Sequence, residues 1–188
     1  MTTSAPPSLK MARPKNQGTT SRGGAVWAAP SRYCSRVQQI AGVGGVDVAT
    51  LFSRIIDGEL PGYFVWQDDL AAGFLSINPM GPGHTLVVPR AEVDNWVDAG
   101  DALLGHLSRV ARRIGEGITA AWKPPRVALI IAGFEVPHLH LHVYPAWSME
   151  DFDFHKAVVN PDPEDLRRNG ESLSAALRDI GYGEHVPS

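Results

Sequence analysis

The chain is poor in cysteine, in long apolar runs and, over its first quarter, in acid. Cys34 is the one cysteine in 188 residues. No disulfide can close within the chain, a Cys-rich zinc site is excluded, and the composition suits a reducing, cytoplasmic setting. No apolar run approaches the roughly 18 residues that a membrane-crossing helix needs. No apolar core of a secretory signal follows the N-terminal charges. A formal net charge of −3 argues against a bulk nucleic-acid binder. Residues 1–46 hold Lys10, Arg13, Lys15, Arg22, Arg32 and Arg36 but no Asp or Glu. This stretch is rich in Ser, Thr, Pro, Gly and Ala and has no apolar period, so it reads as a disordered extension. An organelle transit peptide and a mis-assigned translation start are the other readings. Trp27, Tyr33 and Cys34 within it indicate no fold.

The rest is globular in composition and long enough to bury a core. Order is expected from Asp47, with one domain over 47–150 and a C-terminal extension over 151–188. Leu51, Phe52, Ile55 and Ile56 fall at helical spacing, and Gly58 can end that short helix. Tyr63–Trp66 and Ala72–Ile77 read as hairpin partners joined through Asp68-Asp69. A Pro- and Gly-rich loop leads to a third strand, His84–Pro89. The longest periodic element is Asp101–Trp122, where Leu103, Leu107, Val110, Ile114, Ile118 and Ala121 form one face and Arg109, Arg112 and Arg113 keep to the other. Val127–Ala132 and His138–Tyr144 read as strands four and five. Asp162 caps a last helix with Leu166, Leu173, Leu177 and Ile180 as its apolar positions. Five strands with hairpin-length links and one long helix predict an α+β fold. The sheet should be mainly antiparallel, with the long helix packed on it and short helices at the ends.

The chemistry concentrates in His138-Leu139-His140-Leu141-His142. On a strand, alternate residues share a face, so three imidazoles line up opposite Leu139, Leu141 and Val143. One reading is structural, although each buried ring nitrogen then needs a partner. A second is a metal site completed by Glu135, Glu150, Asp151 or His155. A third is nucleophilic catalysis. A neutral imidazole attacks phosphorus through one bare nitrogen while its other nitrogen is protonated and held.

The row, with Val143-Tyr144 after it, resembles the His-φ-His-φ-His-φ-φ signature of the histidine triad (HIT) proteins. Three further blocks occur in that family's order and spacing: Phe52–Pro61, Phe74–Pro79 and Pro82–Arg90. The resemblance covers about Leu51 to Trp147. It implies a HIT-like fold and a hydrolase or transferase acting at the α-phosphorus of nucleoside phosphoramidates, dinucleoside polyphosphates or related esters. It makes His140 the nucleophile that carries a covalent nucleotidyl group. His138 and His142 orient it, and His84 supports them from the adjoining strand. It places the base against Leu51, Phe52, Ile55, Phe74 and Ile77. It implies no cofactor and a twofold homodimer that covers the long helix. Backbone N–H groups around Gly133–His138 are the expected phosphate donors, and Trp147 with later residues is placed near the cleft. Three positions depart from the family pattern. Ser76 stands where an Asp holds the ribose hydroxyls. Phe134 stands for a Gln and Glu135 for a Ser or Thr at the phosphate. These departures motivate a rival reading, a nucleotide- or metabolite-binding protein with little catalysis.

Overall fold

The computed structural model describes residues 49–188. The extension over 1–46, with Trp27, Tyr33 and Cys34, and the expected start of order at Asp47 lie outside the described residues. Helix α1 (Leu51–Ile56) is followed by strands β1 (Phe64–Gln67), β2 (Ala71–Leu75) and β3 (Thr85–Pro89). The long helix α2 spans Asp101–Trp122, the range expected from its period, and ends on Lys123 in the left-handed conformation. Then come β4 (Arg126–Ile131), β5 (Leu141–Ala146) and helix α3 (Pro163–Leu177). The five strands form one sheet in the order β1-β2-β3-β5-β4. Each neighbouring pair is antiparallel, so the fold is α+β as expected. Among the described residues no helix is long and apolar enough to cross a membrane.

Strand alternation separates two cores. On one face Leu75, Val87, Leu139, Leu141 and Val143 pack with Leu107, Val110, Ile114 and Ile118 of α2 and with Leu173 and Leu177 of α3. A register shift between Phe64 and Trp66 lets Val65 and Trp66 both enter this core. On the other face Ala72, Phe74, Leu86 and Val88 pack beneath Phe52 of α1. The second face carries the histidines.

Small residues set the helix packing. Gly117 on α2 lies where an added Cβ would meet Leu177 at 2.7 Å, so its lack of a side chain admits α3. Arg113 departs from the expected solvent face: its guanidinium lies 5.7 Å from the Trp66 ring centre and 5.4 Å from that of Tyr182. Ile180 is a correction. Regular helix stops at Leu177, Gly181 takes φ of 94°, and Ile180 is left exposed outside the core.

Candidate active site

The triad strand begins later than expected. Pairing with β4 starts at Leu141, opposite Ile131. Upstream the backbone leaves the sheet: Leu139 N–H donates to Val93 O at 2.6 Å, and His138 N–H to Val136 O at 2.8 Å. The alternation survives this departure. Leu139 and Leu141 stay in the α2 core, while His138 and His140 face Phe52, with ring centres 5.9 and 5.0 Å away. The His140 and His142 rings are 4.9 Å apart. His84 joins from the start of β3, its ring centre 5.2 Å from that of His142. It follows Gly83, whose φ of 70° and close approach to the Trp122 ring leave no room for a side chain.

Partner chemistry fixes the protons. His140 Nδ1 lies 2.7 Å from His138 O, and a carbonyl only accepts, so Nδ1 carries the hydrogen. In the neutral ring Nε2 is then bare. Pro89 O, 2.9 Å from His138 Nε2, makes that nitrogen a donor. His138 Nδ1 must accept, and the Thr50 hydroxyl lies 2.6 Å from it. Met80 N–H donates to His84 Nδ1 at 3.0 Å, which puts the His84 proton on Nε2. That proton is donated to His142 Nδ1 at 3.1 Å, leaving a proton on His142 Nε2. Burial is the first cause that pushes all four rings below the ordinary imidazole range. His84 falls to about 3, with His142 and His140 as further causes. His142 falls to about 4, with His140 adding to burial. The row is neutral at physiological pH.

The apolar residues expected around a base divide into wall and surface. Phe52 and Phe74 meet edge to face with centres 5.6 Å apart, and Leu51 and Ile55 pack on the same cluster. Ile77 lies beyond the end of β2 and is 46% exposed. Ser76 is buried and its hydroxyl accepts Asn78 N–H at 3.3 Å. Phe134 stands 97% exposed. Glu135 is exposed too, and its negative charge favours the protonated form of His140. Of the expected phosphate donors, the His138 N–H is already spent on Val136 O.

Two of the three carboxylates weighed as metal ligands are engaged elsewhere, and the third, Glu135, is exposed. Asp151 accepts N–H bonds from Trp147 and Ser148, and Glu150 pairs with Lys156 at 2.8 Å. Among the described residues no group of three or more His, Cys, Asp and Glu side chains is placed to hold a metal ion.

Several site residues escaped the sequence reading. Thr50 holds His138 from outside the triad, and Ser53 and Glu92 hold Thr50. Phe154, rather than the exposed Trp147, reaches the row from the C-terminal side, its ring centre 5.4 Å from that of His142. Nothing local marks them, because Thr50 and His138 are 88 residues apart in the chain.

Comparisons with known proteins find relatives in both sequence and fold. The model of the HIT domain family matches residues 57–149. An uncharacterized HIT-like protein of Saccharolobus solfataricus is 33% identical over 132 residues, which cover 68% of this chain and 94% of the relative. A purine nucleoside phosphoramidase of Escherichia coli is 34% identical over 100 residues, covering 50% of this chain and 84% of the relative. The crystal structure of a hypothetical histidine triad nucleotide-binding protein from Sulfolobus tokodaii superposes with a TM-score of 0.60 at 29% identity, covering 69% of this chain and 92% of the other.

Proposed function

The chain belongs to the histidine triad (HIT) family, and from that premise we propose that it is a nucleotidyl hydrolase in which His140 is the nucleophile. One observation carries this reading: the His140 Nδ1–H is held by the His138 carbonyl at 2.7 Å, so Nε2 is left bare. Such a nitrogen attacks phosphorus as its lone pair forms the P–N bond. The ring gains positive charge as it does so, and the His138 carbonyl dipole stabilises that charge.

The bond from phosphorus to the leaving amine or phosphate breaks, and the departing group takes its electron pair. His142 holds its proton on Nε2, with Nδ1 occupied by His84, and keeps it while hydrogen-bonding the phosphoryl oxygens; the leaving group takes the proton it needs from solvent water. Water then forms a P–O bond and releases a proton to solvent as the P–Nε2 bond breaks, and neutral imidazole returns. The substrate class is a nucleoside phosphoramidate, a dinucleoside polyphosphate or a related small phosphorus compound. The base packs against Phe52 and Phe74, with Leu51 and Ile55 beside them. The sugar lies toward Ser76, and Phe134, Glu135 and Ile77 rim the mouth. The working unit is a homodimer joined through α2 and the free edge of β4.

Intact-mass measurement of protein quenched with adenosine 5′-phosphoramidate tests the chemistry. The expected result is an adenylyl mass increase that maps to His140, lost with turnover in His140→Ala. Turnover by His140→Ala would sink the proposal. Tight AMP binding by the wild type with neither adduct nor turnover would make the chain a nucleotide-binding member without catalysis.

A further inference from the structure

His138 is gripped at both ring nitrogens, and one grip comes from α1. Thr50 is the N-cap of that helix; its hydroxyl oxygen accepts Ser53 N–H at 3.1 Å. Thr50 Oγ1 also lies 2.6 Å from His138 Nδ1 and 3.0 Å from Ser53 Oγ. Only one arrangement of protons satisfies every group. The Ser53 hydroxyl donates to Glu92 Oε1. Glu92 is acceptor-only when ionised, and these bonds, first from Ser53 and then from Thr50 N–H, hold its carboxyl below the ordinary range. The Thr50 proton is therefore free for His138 Nδ1. That buried nitrogen has no proton of its own, because Nε2 donates to Pro89 O. Glu92 also accepts Thr50 N–H at 2.9 Å, so the cap is fixed through backbone and side chain.

We propose that Thr50, locked by Ser53 and Glu92, is a positioning residue: its hydroxyl sets the tautomer and orientation of His138, whose carbonyl in turn aims the nucleophile His140. Without that donor, the His138 Nδ1 must pick up a proton or the ring must turn away from Pro89. Either change moves the segment whose carbonyl holds His140 Nδ1–H. The helix that carries the lock also carries Phe52, whose ring centre is 5.0 Å from that of His140. The apolar wall and the aim of the nucleophile are thus set by one short helix.

The catalytic part of this inference rests on the hydrolase reading, so the test has two independent readouts. Thr50→Ser keeps both the cap and the donor. Thr50→Asp keeps an N-cap acceptor but offers no proton, and Thr50→Val keeps neither. With adenosine 5′-phosphoramidate, kcat of the Ser variant should stay within about threefold of wild type. In the Asp and Val variants kcat should fall by about 30-fold or more, the scale of a small misplacement of a reacting group, with KM changed less than about threefold. Nitrogen-15 spectra of the histidine rings need no turnover. In wild type and Thr50→Ser they should show His138 with a bare, hydrogen-bonded Nδ1 and a protonated Nε2. In the Asp and Val variants His138 should lose that single tautomer, while melting curves report that each variant is folded. An unchanged His138 spectrum in folded Thr50→Val, or unchanged kcat, overturns the proposal. Absence of turnover and adduct in the wild type overturns the hydrolase reading instead, and the ring spectra still decide the lock.

Discussion

His84 Nε2 lies 3.1 Å from His142 Nδ1, and the proton between them can run only one way, because Met80 N–H already occupies His84 Nδ1. A backbone amide in the loop before β3 thus determines which nitrogen of His142, on β5, faces outward with a hydrogen. The same bonds exclude a charged pair, since two imidazolium rings 5.2 Å apart in a buried setting would repel.

That exclusion has a measurable cost in acid. Folding pushes His84 down to about 3 and His142 to about 4, whereas each titrates near 6.5 in an unfolded chain. Below pH 6.5 the unfolded chain binds protons that the folded one refuses. Stability from this source is full above about pH 6.5 and is lost as the pH falls toward 4, at about 1.4 kcal/mol per pH unit for each histidine. Urea melts between pH 7.5 and 4.5 should show this fall. His84→Asn should lessen the slope by about one histidine's share. A flat profile would mean that the rings protonate inside the fold.

Much of the architecture was legible because it follows from periodicity. The 3.6-residue stripe of Asp101–Trp122 marked α2 to its last residue. The alternation of His138–His142 placed three rings on one face although regular pairing starts only at Leu141. What was not legible depends on the meeting of distant segments. Thr50, before α1, reaches His138, and Glu92, in the loop after β3, reaches Thr50, and no local pattern announces either contact. Gly115 and Gly117 look like weak points in a helix by propensity, and only the approach of Val127 and of Leu173 and Leu177 explains them.

Gly117 gives a stability prediction on the face away from the histidines. A Cβ there would lie 2.7 Å from Leu177 Cδ2 and 3.0 Å from Leu173 Cδ1, both side chains being held in the core. Gly117→Val should cost at least about 2 kcal/mol, since overpacking outweighs the gain in helix propensity. Denaturant unfolding checks this. The surviving folded protein should still form its His140 adduct, because Leu173 and Leu177 pack in the α2 core, on the sheet face opposite Phe52.

Ser76 predicts a loose grip on ribose. Its hydroxyl already accepts Asn78 N–H at 3.3 Å and has one proton left to give. It lacks the paired oxygens with which a carboxylate accepts both hydroxyls of a cis-diol. Ribo- and 2′-deoxyribonucleoside phosphoramidates should therefore differ less than about tenfold in kcat/KM. Ser76→Asp should widen that ratio by about tenfold, the worth of one hydrogen bond to a charged acceptor. A wild type with strong ribose preference would place sugar recognition elsewhere.

Among the described residues the sheet ends at β4 on one side, and β4 pairs only with β5. Its outer edge therefore presents unpaired backbone groups, a template for another strand. Beside that edge Leu129 is 55% exposed. It lines a depression of about 500 Å³ with Ala111, Gly115 and Thr119 of α2. An exposed leucine, a small-residue helix face and an open antiparallel edge satisfy each other when a second copy approaches about a twofold axis, because each edge then pairs with its own mate. Leu129→Arg would bring two guanidinium groups to that axis, where they repel, and Glu116 of the same depression is already engaged by Arg112 and Tyr182. Light scattering should give twice the chain mass for the wild type and about one chain mass for Leu129→Arg, with the His140 adduct still forming. A dimeric Leu129→Arg would move the interface off this edge, and a monomeric wild type would remove the dimer altogether.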